Sequence, residues 1–219
     1  MPSAVVLSHR DIAHELGHLG EWLSNNGYEV ERRFREDSPT VPESDVLIAL
    51  GSPGSVALGY CAPAGEEEIS AIQNWLGSGR PFLGICYGAQ ALTCALGGTV
   101  ERMSSTDRGW MTLASDESDH AALVGPWLVW HEDALRAPAS ATVRARSGNA
   151  DQVFSQGRAW GIQFHPELTS GLLDEMASGL GAPDEDYLPL VAAMAQDEEG
   201  HRTRAHRLFD AWAADVALA

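Results

Sequence analysis

The chain has 219 residues, 44% of them apolar, and a formal net charge of −17, which is enough length to bury one sizeable core. The acidic surface repels phosphate backbones and anionic lipid, so nucleic-acid and membrane partners are not expected, and no apolar run reaches the roughly 18 residues of a membrane span. None of the 14 basic residues is lysine, which excludes a Walker-type phosphate loop and a lysine Schiff base.

Residues 4–8 predict a short apolar strand with no basic leader before it, so no secretory signal is expected. Residues 12–26 carry Ile12, Leu16, Leu19 and Leu23 on one side, the spacing of an amphipathic helix, closed by Asn26-Gly27. Residues 28–33 alternate as a strand. Residues 45–50 are a buried-strand run, followed by Gly51-Ser52-Pro53-Gly54-Ser55. A helix is predicted over 66–76, with an acidic first turn, and a strand over 82–85. This alternation implies an α/β fold of three layers, a doubly wound and mostly parallel sheet with helices on both faces. Its site lies off the carboxyl ends of the strands, where Gly51–Ser55 and Cys86 can converge.

The pattern then changes. Short strands are predicted at 99–101, 110–114, 127–130, 142–146, 152–155 and 160–164, with Ser147-Gly148-Asn149 as a turn. They read as antiparallel additions that carry the chain to His165. The end is helical: Leu208, Phe209, Trp212 and Val216 make a stripe that covers the domain, and Glu198 and Arg202 are spaced as an i,i+4 ion pair. One domain is expected over 1–219, with a core of about 4–170 and a helical part over 171–219. Three cysteines cannot all pair, which suits a reduced, cytoplasmic compartment. Cys94 falls on the helix after Cys86 and is expected in the core; Cys61 falls in a loop without an evident role.

Two segments carry chemistry. Gly84-Ile85-Cys86-Tyr87-Gly88 follows a strand and precedes a helix, the pattern of a nucleophile elbow with a thiol in place of the serine. Its glycines are required where a tight turn leaves no space for side chains. The turn places Cys86 at a helix amino terminus, where the dipole and free amides favour a negatively charged sulfur. In Phe164-His165-Pro166-Glu167, Pro166 pushes His165 towards extended geometry. Residues two apart then point the same way, so Glu167 can orient and charge the imidazole. A thiol, a base and a base-orienting carboxylate are the parts of an activated nucleophile.

GICYGAQ at 84–90 and GIQFHPE at 161–167 resemble the two signature segments of class I glutamine amidotransferases, most closely the branch that includes the glutaminase part of GMP synthase. Gly51-Ser52-Pro53 stands where the family has a Gly-Gly-Pro-type oxyanion loop, and Trp130-His131-Glu132-Asp133 resembles a Trp-His-x-Asp stretch of that branch. The resemblance implies a flavodoxin-like fold and hydrolysis of the glutamine side-chain amide through a thioester on Cys86. His165 would be the acid and base, and Glu167 its orienter. The backbone amides of Ser52 and Tyr87 would form the oxyanion hole, and Gln90, His131 and Asp133 would contact the substrate. No cofactor or metal is implied. Serine departs from the family's glycine at 52. If the loop requires φ > 0 there, serine costs about 1 kcal/mol and turns its amide away, leaving the hole unformed until a partner binds.

The chain shows no Ser-Gly-Gly-x-Asp-Ser-type nucleotide loop and so is not expected to be a complete GMP synthase. Either the ammonia passes to a separate synthase subunit, or the substrate is another γ-glutamyl amide. A catalytically silent binding module on the same scaffold is the alternative from another class. A competing motif, His14-Glu15-Leu16-Gly17-His18, matches the zinc-binding H-E-x-x-H. It is set aside because its extension fails, because its helix is expected away from the strand ends, and because Gly17 marks no special chemistry. The histidines His9, His120, His201 and His206 fall in polar segments.

Overall fold

A computed structural model describes residues 1–10, 12, 15–37, 41–59, 64–113, 118–147 and 150–218. His14, Cys61 and the 148–149 turn lie outside the described residues. The elements follow as β1 (Ser3–Ser8), α1 (Gly17–Asn25), β2 (Glu29–Phe34), β3 (Val46–Ala49), α2 (Ala64–Gly77), β4 (Phe82–Ile85) and α3 (Tyr87–Ala95). Then come β5 (Thr99–Thr112), β6 (Pro126–Arg136), β7 (Thr142–Ser147), β8 (Ala150–Gln156) and β9 (Ala159–Ile162). Helices α4 (Ser170–Gly179), α5 (Asp184–Gln196) and α6 (Glu198–Asp215) close the chain.

Seven strands form one sheet in the order β2-β1-β3-β4-β9-β8-β7. The five from β2 to β9 are parallel, and β8 and β7 add antiparallel at one edge. Strand periodicity splits the core between the two faces. Val6, Ile48 and Ile85 pack with Leu19, Trp22, Leu208, Phe209, Trp212 and Val216 beneath α1 and α6. Val5, Leu7, Leu47 and Phe82 pack with Ile72, Trp75 and Leu92 beneath α2 and α3. The carboxy-terminal stripe therefore covers the sheet.

Four local expectations are corrected. The first helix begins at Gly17 rather than at residue 12. The strands expected at 99–101 and 110–114 are parts of one strand, β5, which pairs with β6 in a separate two-stranded sheet with a register shift between Arg102 and Asp107. Among the antiparallel additions leading to His165, β9 pairs antiparallel with β8 but runs parallel to β4 on its other side, which puts His165 at the same end of the sheet as Cys86. Arg202 pairs with Glu199 and Glu21 rather than Glu198, whose carboxylate accepts from the Ser170 amide instead.

Candidate active site

The site forms where β3, β4 and β9 end side by side. Cys86 takes φ 52° and ψ −110° between β4 and α3, a left-handed conformation that costs a non-glycine residue about 1–2 kcal/mol. The flanking glycines allow it. A Cβ on Gly84 would lie 2.5 Å from the Gly88 carbonyl oxygen, and one on Gly88 would lie 2.0 Å from that of Ala49. The Cys86 amide donates to the Ile162 carbonyl at 2.8 Å, fastening the turn to β9. Cys86 is buried, with Sγ 3.9 Å from the Trp130 carbonyl oxygen.

His165 and Glu167 are also buried. Nδ1 of His165 donates to Oε1 of Glu167 at 2.8 Å. Burial acts to lower the His165 pKa, but the charge of Glu167, then that of Cys86, outweighs it and holds the imidazole well above its ordinary value. The Cys86 side chain lies near enough to the imidazole to act on it electrostatically. The structure thus brings all three side chains to one cavity from the ends of β4 and β9. Cys94, by contrast, is half-buried on α3, and burial pushes its thiol up.

Gly51 runs alongside the pair: a Cβ there would come 3.4 Å from Cε1 of His165 and 3.9 Å from Cβ of Cys86. Ser52 follows it, with Oγ accepting from the Gly54 amide at 3.2 Å. The condition under which serine would strain this loop is not met. Among the described residues, the only non-glycine residues with positive φ are Cys86 and Ala217. Tyr87 opens α3, whose first amides have no partner within the helix.

Gln90, His131 and Asp133 line the same cavity of about 350 Å³ as Cys86 and His165. Gln90 donates from Nε2 to the Asp133 carbonyl at 3.4 Å. Nδ1 of His131 donates to that carbonyl at 3.1 Å, and burial, set against the charge of Asp107, lowers the His131 pKa and keeps the ring neutral. The Asp133 carboxylate already accepts from Ser55 Oγ at 2.7 Å and the Ala57 amide at 3.2 Å, with Arg102 at 3.4 Å. It therefore tethers the loop after β3 as well as facing the cavity. Arg102 has no motif to announce it, and Ser55 falls in the Gly51–Ser55 segment without a role assigned to its side chain.

Gly17 corrects two expectations about the competing motif. The amino end of α1 is not remote from the site: the His18 amide donates to the Glu167 carbonyl at 2.9 Å. Gly17 has φ +51°, and a Cβ there would lie 2.1 Å from that same carbonyl oxygen, so only glycine fits. His18 itself is buried, with Nε2 3.5 Å from Glu198.

A profile of the family "Glutamine amidotransferase class-I" matches residues 9–177. GMP synthase [glutamine-hydrolyzing] of Thermus thermophilus is 40% identical over 129 residues, covering 56% of this chain and 24% of that protein. The chain therefore matches about a quarter of that relative's length. A GMP synthase [glutamine-hydrolyzing] subunit of Ignicoccus hospitalis is 28% identical over 145 residues, 63% of this chain and 74% of that one. The crystal structure of a glutamine amidotransferase from Thermotoga maritima superposes with a TM-score of 0.83 at 22% identity, covering 96% of this chain and 97% of that one; the fold is shared.

Proposed function

The chain belongs to the class I glutamine amidotransferase family, and from that premise we propose that it hydrolyses the side-chain amide of glutamine through a thioester on Cys86. The observation that carries the reading is the burial of Cys86 in one cavity with an imidazole held protonated against Glu167. The sulfur attacks the carboxamide carbon and the carbonyl electron pair moves to oxygen, which the amides of Ser52 and Tyr87 receive. The His165 imidazolium gives its proton to the departing nitrogen, so ammonia leaves and a glutamyl thioester remains. His165, now neutral, takes a proton from water, which attacks the thioester and releases glutamate. Gln90, His131 and Asp133 face the rest of the substrate. The likeness to a GMP synthase subunit of similar size supports a separate synthase partner that receives the ammonia. Release of ammonia and glutamate from glutamine by the purified chain tests the reading; no turnover with glutamine or a γ-glutamyl amide contradicts it.

One observation favours a second reading, hydrolysis of a γ-glutamyl amide with a larger amine. Leu172, Met176, Leu180 and Pro183 also line the cavity, apolar surface for which ammonia has no use. The thioester chemistry is the same. A higher kcat/KM for γ-glutamyl peptides than for glutamine would select this reading.

Two outcomes are expected for either substrate. Because the folded-state pKa of His165 is raised, its proton is retained well above pH 6.5 and lost as pH rises through the raised value. The alkaline limb of kcat/KM should lie there, and Glu167→Gln should move it down. The stability that the charged imidazole contributes has the same sign: fully present below pH 6.5, lost through the raised pKa. Gly17→Ala should displace the Glu167 backbone and lower kcat by about tenfold or more, since misplacement of about 1 Å can cost 10²-fold. Steady-state kinetics alongside a melting curve check this.

A further inference from the structure

We propose that Arg35 is the positioning residue of the oxyanion loop, fixing the peptide between Gly51 and Ser52 so that the Ser52 amide faces the reacting carbonyl. This rests on the thioester reading above. Arg35 lies just beyond β2 and is 1% exposed, opposite Glu68 of α2, also 1% exposed. Nε and Nη2 donate to the Glu68 carboxylate at 3.0 and 3.3 Å. The remaining reach of the guanidinium goes to two successive carbonyls at the end of β3: Nη2 to Leu50 at 2.9 Å and Nη1 to Gly51 at 2.7 Å. The guanidinium also lies 4.7 Å from the centre of the Tyr87 ring, whose residue supplies the second amide.

A pair of charges buried this deeply gains little over an apolar pair of the same volume, so stability alone does not account for it. Its geometry does something an apolar pair cannot. In a planar trans peptide the C=O and N–H point in opposite directions. Arg35 holds the Gly51 oxygen on the Glu68 side, so the Ser52 N–H is held on the other side, and a Cβ on Gly51 would fall in van der Waals contact with His165 and Cys86. Turning that peptide over would break a short charge-assisted bond and leave a buried guanidinium N–H without a partner. The hole is thereby set in the isolated chain, by a side chain and not by backbone strain at Ser52, which has no positive φ.

The test replaces the ion pair by an apolar pair, Arg35→Met with Glu68→Met, and compares kcat and KM for glutamine and for γ-glutamyl-p-nitroanilide with the rate of Cys86 alkylation by iodoacetamide. Alkylation forms an S–CH2 bond as iodide leaves and creates no oxyanion. The expected result is a fall in kcat of about 10²-fold or more, the cost of one lost oxyanion donor, with KM nearly unchanged and Cys86 alkylated at the wild-type rate. Unchanged kcat, or a parallel fall in alkylation, overturns the proposal. Should the double variant fail to fold, Arg35→Lys decides: it keeps the charge opposite Glu68 but lacks the fork that reaches both carbonyls. It should lose about tenfold in kcat at unchanged alkylation, and full activity overturns the proposal. A wild-type chain that neither turns over these substrates nor alkylates at Cys86 overturns instead the thioester reading beneath it.

Discussion

Cys86→Ala is expected to lower kcat for glutamine by about 10⁴-fold or more, leaving the fold intact. Among the described residues, no other thiol lines the site. Cys94 does not line the cavity, and burial pushes its thiol up. Alanine fits the space of the buried cysteine and removes only its sulfur from the edge of the core, so the melting temperature should change little. Cys86→Ser should be nearly as inactive. A serine hydroxyl must lose its proton to a base, and His165, held well above its ordinary pKa, carries a proton already. In the native chain the sulfur's charge is among the causes of that raised value, so sulfur and imidazole act as one unit. Ammonia release by both variants, measured with a melting curve, checks this.

His165→Ala should cost a similar factor, about 10⁴-fold in kcat, because in the proposed mechanism one ring supplies the proton to the leaving nitrogen and then accepts one from water. Glu167→Gln should cost less, about 10²-fold, because glutamine keeps an oxygen where Oε1 accepts from Nδ1 at 2.8 Å and only the charge is lost. The double variant His165→Ala/Glu167→Gln should be no slower than His165→Ala alone, since Glu167 acts through the ring. Two single losses that multiply would mean that Glu167 contacts the substrate independently. Initial rates for the three variants, set against wild type, give the comparison.

The side chains proposed to react are legible in the sequence because each sits in a local pattern whose geometry is constrained by its neighbours. Gly84 and Gly88 flank Cys86 where carbonyl oxygens would collide with any Cβ, and Pro166 restricts the backbone of His165, although the chain bends at Pro166 and Glu167 and does not stay extended. Parallel alternation through β4 is legible for the same reason: short apolar runs, helices between them, breaks at glycine. Topology beyond residue 98 is less so. Periodicity marks β9 as a strand but does not say that its neighbour is β4, a pairing between residues more than seventy positions apart in sequence. The joined strand β5 is hidden because its residues are mostly exposed or half-buried, without the alternation a packed face imposes.

The supporting residues escape a sequence reading for a physical reason too. Gly17 resembles a helix-interior glycine because nothing local reveals that Glu167 will press against it. One signal for the Arg35–Glu68 pair is present: Glu68 shares a helical stripe with Ile72 and Trp75, both buried, and a carboxylate on such a stripe requires a partner. That partner cannot be named without the fold, since Arg35 reaches it from the far end of β2.

Mass spectrometry after exposure to a diazoketone analogue of glutamine tests the central claim most directly. The expected result is one covalent adduct, on Cys86, suppressed by excess glutamine and absent from Cys86→Ala. No adduct on Cys86, or labelling of Cys94 alone, would contradict the account and leave the elbow as scaffold for a catalytically silent module.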